Sequence, residues 1–250
     1  MIDRREQPAG GIFRRDVHRS ALPGRLDRAG EVRALRDRVE RQRGSVLATG
    51  KAVIAQDNFR DEANFERDPS LTVTASSLWA DAGADRMGQL EAWVDRYVEV
   101  NGVQPGSMVV STRVARALAQ GTQLATQLVG GGSRPATRSD VDAILAGAGL
   151  PAITVYDRRT SAGKVLPDDT IVFLPAPVET DGESELGATF WGQTLAASEP
   201  EWDIAESEQP GIVAAAFTHE GIPPIRHTFA DALNLPVLAN ANLSMAVKVL

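Results

Sequence analysis

Residues 186–194 read LGATFWGQT, and residues 211–250 read GIVAAAFTHEGIPPIRHTFADALNLPVLANANLSMAVKVL, with an acidic insert between them. Short runs of β-branched, aromatic and small residues alternate here with turn-forming Gly, Pro and Asn, a strand-and-turn pattern. No nucleophile elbow, phosphate loop or close-spaced metal ligand interrupts it. A chain that ends in a series of strands without chemistry is read first for architecture.

Upstream of this tail the chain alternates helices and strands. Residues 25–49 predict one long helix, with Val32, Leu35, Val39 and Val46 at near-heptad spacing among Arg, Asp and Glu. Glu31, Asp37 and Glu40 lie within a turn of several Arg, which supports the helix. Gly44 weakens it, and Thr49-Gly50-Lys51 reads as its C-cap. AVIAQ (52–56) is extended, residues 56–70 are polar, and LTVTA (71–75) alternates like a half-buried strand. A helix over about 85–100 carries Met87, Leu90, Val94, Tyr97 and Val98 on its apolar face and stops at Asn101-Gly102. MVVS (108–111), AITVYD (152–157) and TIVFLP (170–175) predict strands, and 112–118 and 122–128 predict short helices. Ser139 or Asp140 caps a further helix, VDAILAGAG, and residues 157–167 form a hairpin loop.

Composition excludes several kinds of chemistry. There is no cysteine, so disulfides, thiolate metal sites and cysteine nucleophiles are absent. No run nears the roughly 18 apolar residues of a membrane span, and MIDRREQPAGG lacks a signal-peptide core, so a soluble product is expected. The net charge of −7 is uneven, about +5 over residues 1–50 and −12 over the rest. The N-terminal arginines are interleaved with acids, as on a solvated helix, so no sequence-specific nucleic-acid partner is expected.

Candidate sites fail one by one. His18, His219 and His227 are the only histidines, and the nearest pair is eight residues apart across a Gly-Ile-Pro-Pro turn, so no metal is expected. Gly130-Gly-Gly-Ser-Arg lacks the Gly-Lys-Ser/Thr ending of a phosphate loop, and Gly163-Lys164 is followed by Val165. The acidic stretch 179–185 lacks the ligand spacing of a calcium loop. Trp191 and Trp202 read as core or interface residues. The expectation is no catalytic, cofactor-binding or metal-binding residue, no cofactor and no enzymatic activity.

A series of landmarks resembles the lambda-type major capsid proteins of tailed bacteriophages and prophages. They are VLATGKAVI (46–54), LWAD (78–81), PGSMVVSTRVARAL (105–118), ITVYDR (153–158), LPDDTIVFLPAP (166–177), WGQT (191–194) and LPVL (235–238). The resemblance implies an α+β tailed-phage capsid (Johnson) fold. It has a peripheral domain, with a long spine helix and a β-sheet, and an axial α/β domain. Mapped here, residues 1–24 are an irregular arm or loop remnant and 25–78 are peripheral, with AVIAQ and LTVTA in the peripheral sheet. Residues 79–180 are axial, and 181–250 return to the peripheral domain before a last strand rejoins the axial one. Family members carry a longer region before the spine helix. The chain therefore reads as N-terminally truncated, with arm and extended loop missing or replaced, and is expected to give monomers or loose capsomers rather than uniform closed shells.

The function implied is a structural subunit of an icosahedral head, made in the bacterial cytoplasm and residing in the virion. It would self-associate into pentamers, hexamers and shell, alongside scaffold, decoration or portal proteins, and without a membrane. Two alternatives stay open from sequence: an encapsulin-type compartment shell protein with the same fold, and a small α/β hydrolase or transferase.

Overall fold

The computed structural model describes residues 28–56, 59–129, 136–161, 163–177, 185–194, 211–219 and 225–250. The segment 1–24, the glycine run 130–132, His18, Trp202 and most of the acidic insert lie outside these residues. The described residues divide into two compact units. The larger takes those of Glu40–Ala52, Ala63–Ala188 and Pro236–Leu250; the smaller takes those of Met1–Val39, Val53–Glu62 and Thr189–Leu235.

In the larger unit a five-stranded sheet has the order β3(Thr72–Thr74), β12(Met245–Lys248), β8(Thr170–Leu174), β4(Ser107–Val110), β5(Ala152–Val155). It is mixed: β12 runs parallel to β3 and antiparallel to β8, while β4 runs antiparallel to β8 and parallel to β5. The register places Ile153, Met108, Phe173 and Met245 in a row across it. Those four residues, with Ile171 and Val247, share one core with Leu90, Tyr97, Val114, Leu118, Leu124, Val141 and Leu145 from the helices. On the opposite face Val172 and Ala246 are also buried, so the middle of the sheet is covered on both sides.

Local chemistry fixes the helices of this unit. Helix α2(Arg86–Asn101) starts where Asp85 accepts the Gly88 N–H and ends at Gly102, whose φ of 71° suits glycine. Of the expected face Met87, Leu90, Val94 and Tyr97 are buried and Val98 is half-buried; Arg86 and Trp93 are buried as well, and Trp93 stacks on Trp79 at a ring-centroid distance of 6.2 Å. Helix α3(Thr112–Ala119) is capped by Ser111, whose hydroxyl accepts the Val114 N–H, and α4(Thr122–Val129) follows. Helix α5(Arg138–Gly147) begins earlier than expected. Thr137, rather than Ser139 or Asp140, is the N-cap, and Asp140 completes a capping box from the third position. Arg138 then donates to the Ile153 carbonyl at 2.7 Å, tying α5 to β5. The expected hairpin loop at 157–167 holds the paired strands β6(Arg159–Thr160) and β7(Gly163–Lys164).

Helix α1 spans Arg28–Thr49. Val39 and Val46 are buried and Val32 and Leu35 half-buried, so the heptad stripe is an inward face. Gly50 ends the helix in the left-handed region (φ 71°), donating to the Val46 carbonyl at 2.7 Å. Gly44 is more than a weak point in the helix: a Cβ there would lie 2.2 Å from the Val165 carbonyl oxygen. Gly44→Ala should therefore lose about 2 kcal/mol in denaturant unfolding, despite alanine's advantage of about 1 kcal/mol in helices. An unchanged midpoint would mean that the loop at Val165 yields freely.

Two strand assignments differ from the sequence reading. Strand β1(Lys51–Gln56) pairs with β2(Phe59–Asn64), a segment read as polar connection. FRDEAN has no clean alternation, and β1 supplies its backbone partner. LTVTA does not share a sheet with AVIAQ: β3 joins the five-stranded sheet because β12 offers it a parallel edge. In the smaller unit β10(Ile212–His219) and β11(Ile225–Leu238) form an antiparallel pair from Ile212↔Ala232 to His219↔Ile225, and β9(Gly187–Gly192) lies on the other side of β11.

Candidate functional site

The residues closest to a reactive constellation lie at the N-terminus of α3. Both carboxylate oxygens of Asp157 accept from the Thr112 N–H at 3.1 Å, and the Thr112 hydroxyl donates to one of them. Lys164 Nζ lies 3.6 Å from Asp157 and also pairs with Asp168. Ser111 Oγ donates to the Asp168 carbonyl at 2.7 Å. Beside them Glu40 of α1 accepts from the Tyr156 hydroxyl at 3.0 Å and pairs with Arg158 at 2.8 Å.

The types present are those of a nucleophile, a base and a cation, but the electrostatics run the other way. The Thr112 hydroxyl, against the opposing effect of burial and with help from the Thr112 N–H and Lys164, holds the Asp157 carboxyl below the usual carboxylate range. A general base works best when poised near neutral pH. Asp157 is instead an anion at neutral pH at a helix N-terminus, where it accepts the Thr112 N–H and complements the helix dipole. Burial, with hydrogen bonding to Glu40, likewise raises the Tyr156 hydroxyl and keeps it a donor. The arrangement locks α1, α3 and the 157–168 loop together. An open groove of about 410 Å³ runs alongside, lined by Arg41, Ser45, Thr49 and residues 164–168.

A depressed carboxyl has a defined acid signature. Its stabilisation is complete above the unfolded-state value near 4 and is lost as pH falls through the lower folded value. Asp68 and Asp85 are lowered by hydrogen bonds from Ser70 and from Gln123 and Gly88, respectively. In Asp169 burial is overcome by Thr170 and Lys248. Thermal melts from pH 6 to pH 2 should show stability falling below about pH 4. Asp157→Asn should be less stable at pH 6 and show a shallower acid decline. Parallel curves would deny Asp157 this part.

A second polar centre was not visible in sequence. Glu66 has φ 53°, a left-handed turn outside glycine, and the next residue, Arg67, is buried. Its guanidinium donates to the Leu47 and Ala48 carbonyls of the α1 C-terminus, each at 2.8 Å, and to Ser244 Oγ at 3.2 Å. Burial lowers its pKa, yet a guanidinium stays charged at neutral pH. Its partners are distant in the chain, so no local motif announces it.

His219 and His227 fall on paired strands, opposite Ile225 and Phe217 respectively. Among the described residues no set of three His, Asp or Glu side chains gathers as a metal site. No helix of the described residues is long and apolar enough to cross a membrane. Among the described residues the large apolar side chains that stay exposed are Val53, Leu78, Val103, Val155 and Phe190.

A family model for phage major capsid protein E matches residues 25–190. The chain belongs to this family. Its function is accordingly structural, as a capsid subunit of a phage or prophage. The solved structure of a prophage capsid protein from E. coli CFT073 matches with a TM-score of 0.63 at 16% identity, covering 98% of this chain and 74% of that one. At that identity the likeness is one of fold, and it extends through the strand-rich tail that the family model leaves unmatched. A phage-related protein from Bordetella bronchiseptica RB50 gives a TM-score of 0.49 at 14% identity, covering 72% of this chain and 55% of that one. None of the curated proteins matches.

Proposed function

We propose that this capsid-family chain acts by self-association alone: copies join as pentamers and hexamers into a head, and no residue turns over a small molecule. The observation that carries this is the family match across residues 25–190. The best approach to a reactive centre, at Asp157, supports it by being held as an anion against the first residue of α3, Thr112. In this reading residues 79–180, with their helices and sheet strands, serve as the axial domain, and α1 with the return strands serves as the peripheral one. The product is made in the bacterial cytoplasm and ends in the virion, with scaffold, decoration or portal proteins as further contacts.

Electron microscopy and mass photometry of the purified chain test the proposal. Loose capsomers, rather than uniform closed shells, are the expected species, dissociating on dilution as mass action requires. A chain that stays monomeric at all concentrations, or that hydrolyses or transfers a small substrate with saturation kinetics, would overturn it.

A further inference from the structure

The chain holds a single Asn-Gly pair, Asn101-Gly102, and it lies where α2 ends. That dipeptide is chemically labile. Glycine puts no side chain beside its own nitrogen, so the nitrogen can reach the amide carbon of the preceding asparagine. Gly102 is also exposed, and a Cβ there would meet nothing within 4 Å, so water has access to it.

The fold holds the two reacting groups apart. The Gly102 N–H donates to the Val98 carbonyl at 2.7 Å, which turns its nitrogen toward the helix. Asn101 Nδ2 donates to the Tyr97 carbonyl at 3.0 Å and to the Asn242 carbonyl at 2.9 Å. Both partners only accept, so the nitrogen of the amide, not its oxygen, faces them. The bond to Tyr97 lays the side chain back along the preceding turn of α2, away from Gly102. A second tie lies beside the first: the buried Tyr97 hydroxyl donates to the Leu243 carbonyl at 3.0 Å. Asn101 and Tyr97 thus clamp the end of α2 to the turn Ala241–Leu243, just before β12.

We propose that Asn101 is a modification site gated by this clamp: it deamidates when the end of α2 opens, and its product cannot remake the clamp. The Gly102 nitrogen attacks Asn101 Cγ and closes a cyclic imide. Nδ2 leaves as ammonia, carrying the proton that the Gly102 nitrogen gives up. Water then opens the imide at either carbonyl and leaves aspartate or isoaspartate. Either product sets a carboxylate, which has no N–H to donate, against the Tyr97 and Asn242 carbonyls. It also puts a negative charge at the carbonyl end of a helix. The product therefore favours the opening that produced it, and the chain keeps a permanent record of having opened there.

Peptide mapping of the full chain tests this. Trypsin releases residues 97–113, in which Asn101 is the one asparagine. Mass spectrometry follows its conversion, and an isoaspartyl methyltransferase assay follows the isoaspartate. In mildly alkaline solution, conversion at 101 should be at least about ten-fold faster in guanidinium that unfolds the chain than in buffer, because a closed segment reacts only through its opening. Asn101→Gln lengthens the side chain so that the same small ring cannot form, and it should stay unconverted in guanidinium over that time. A partly aged sample of the parent, given a brief protease pulse in mild denaturant, should leave surviving chains depleted of converted 101. Equal rates in buffer and guanidinium, aspartate without isoaspartate, equal conversion of Asn101→Gln, or equal protease survival of converted and unconverted chains would each overturn the proposal.

Discussion

Val46→Asp should lower the free energy of unfolding by about 4 kcal/mol or more. Val46 is 1% exposed on α1, one turn before Gly50 ends the helix. A carboxylate there loses its water and gains no partner built for it. It also sits at the carbonyl end of the helix, where the dipole repels an anion. Val46→Ala separates the two effects, since it removes only methyl groups and should cost about half as much. Urea unfolding with unchanged slope measures both. Equal stability of the parent and the Asp variant would mean that the heptad stripe does not face inward.

The second large effect belongs to Arg67. Arg67→Ala should cost about 4 kcal/mol, because the Leu47 and Ala48 carbonyls and Ser244 lose their donor together in a part-buried setting. Arg67→Lys should recover only part of this, since one ammonium cannot reproduce a planar fork spread over a helix end and Ser244. Hydrogen exchange gives a local readout: amides of the last turn of α1 should lose protection in Arg67→Ala. Lysine restoring full stability would show that charge alone, without the fork, holds the junction.

How far these features were legible depends on how local their causes are. The α1 stripe, the Gly50 and Gly102 stops and the buried face of α2 follow from spacing and single-residue preferences, and the structure carries them where the sequence puts them. The Thr137 cap was missed by two or three residues because Thr137, Ser139 and Asp140 can all cap, and only the reciprocal bond from Asp140 selects one. The β1–β2 pair and the membership of β3 were not legible, since pairing is decided by whichever edge the rest of the chain presents. Arg67 and Gly44 are clearer still. Each looks like an ordinary surface or flexible residue until partners far along the chain arrive. Phe190 fell within WGQT and its neighbours, a stretch noticed for its family likeness, but sequence alone did not say that its ring faces outward.

The position of β12 carries a consequence for how the molecule is made. Residues 245–248 lie between β3 and β8, so two strands that emerge from the ribosome much earlier wait for a neighbour that emerges late. Until then β3 has no hydrogen-bonded partner, and the Met245 and Val247 places in the core stay empty. Closing so long a loop is entropically slow, and folding rates fall as contacts become more distant in sequence. The nascent chain thus keeps a sheet edge and apolar surface open during synthesis, the condition under which crowded neighbours pair wrongly. In a cell filling with copies, completion of each sheet by its own later strand acts as a timer that holds the subunit back from the finished fold until residues 245–248 have been made.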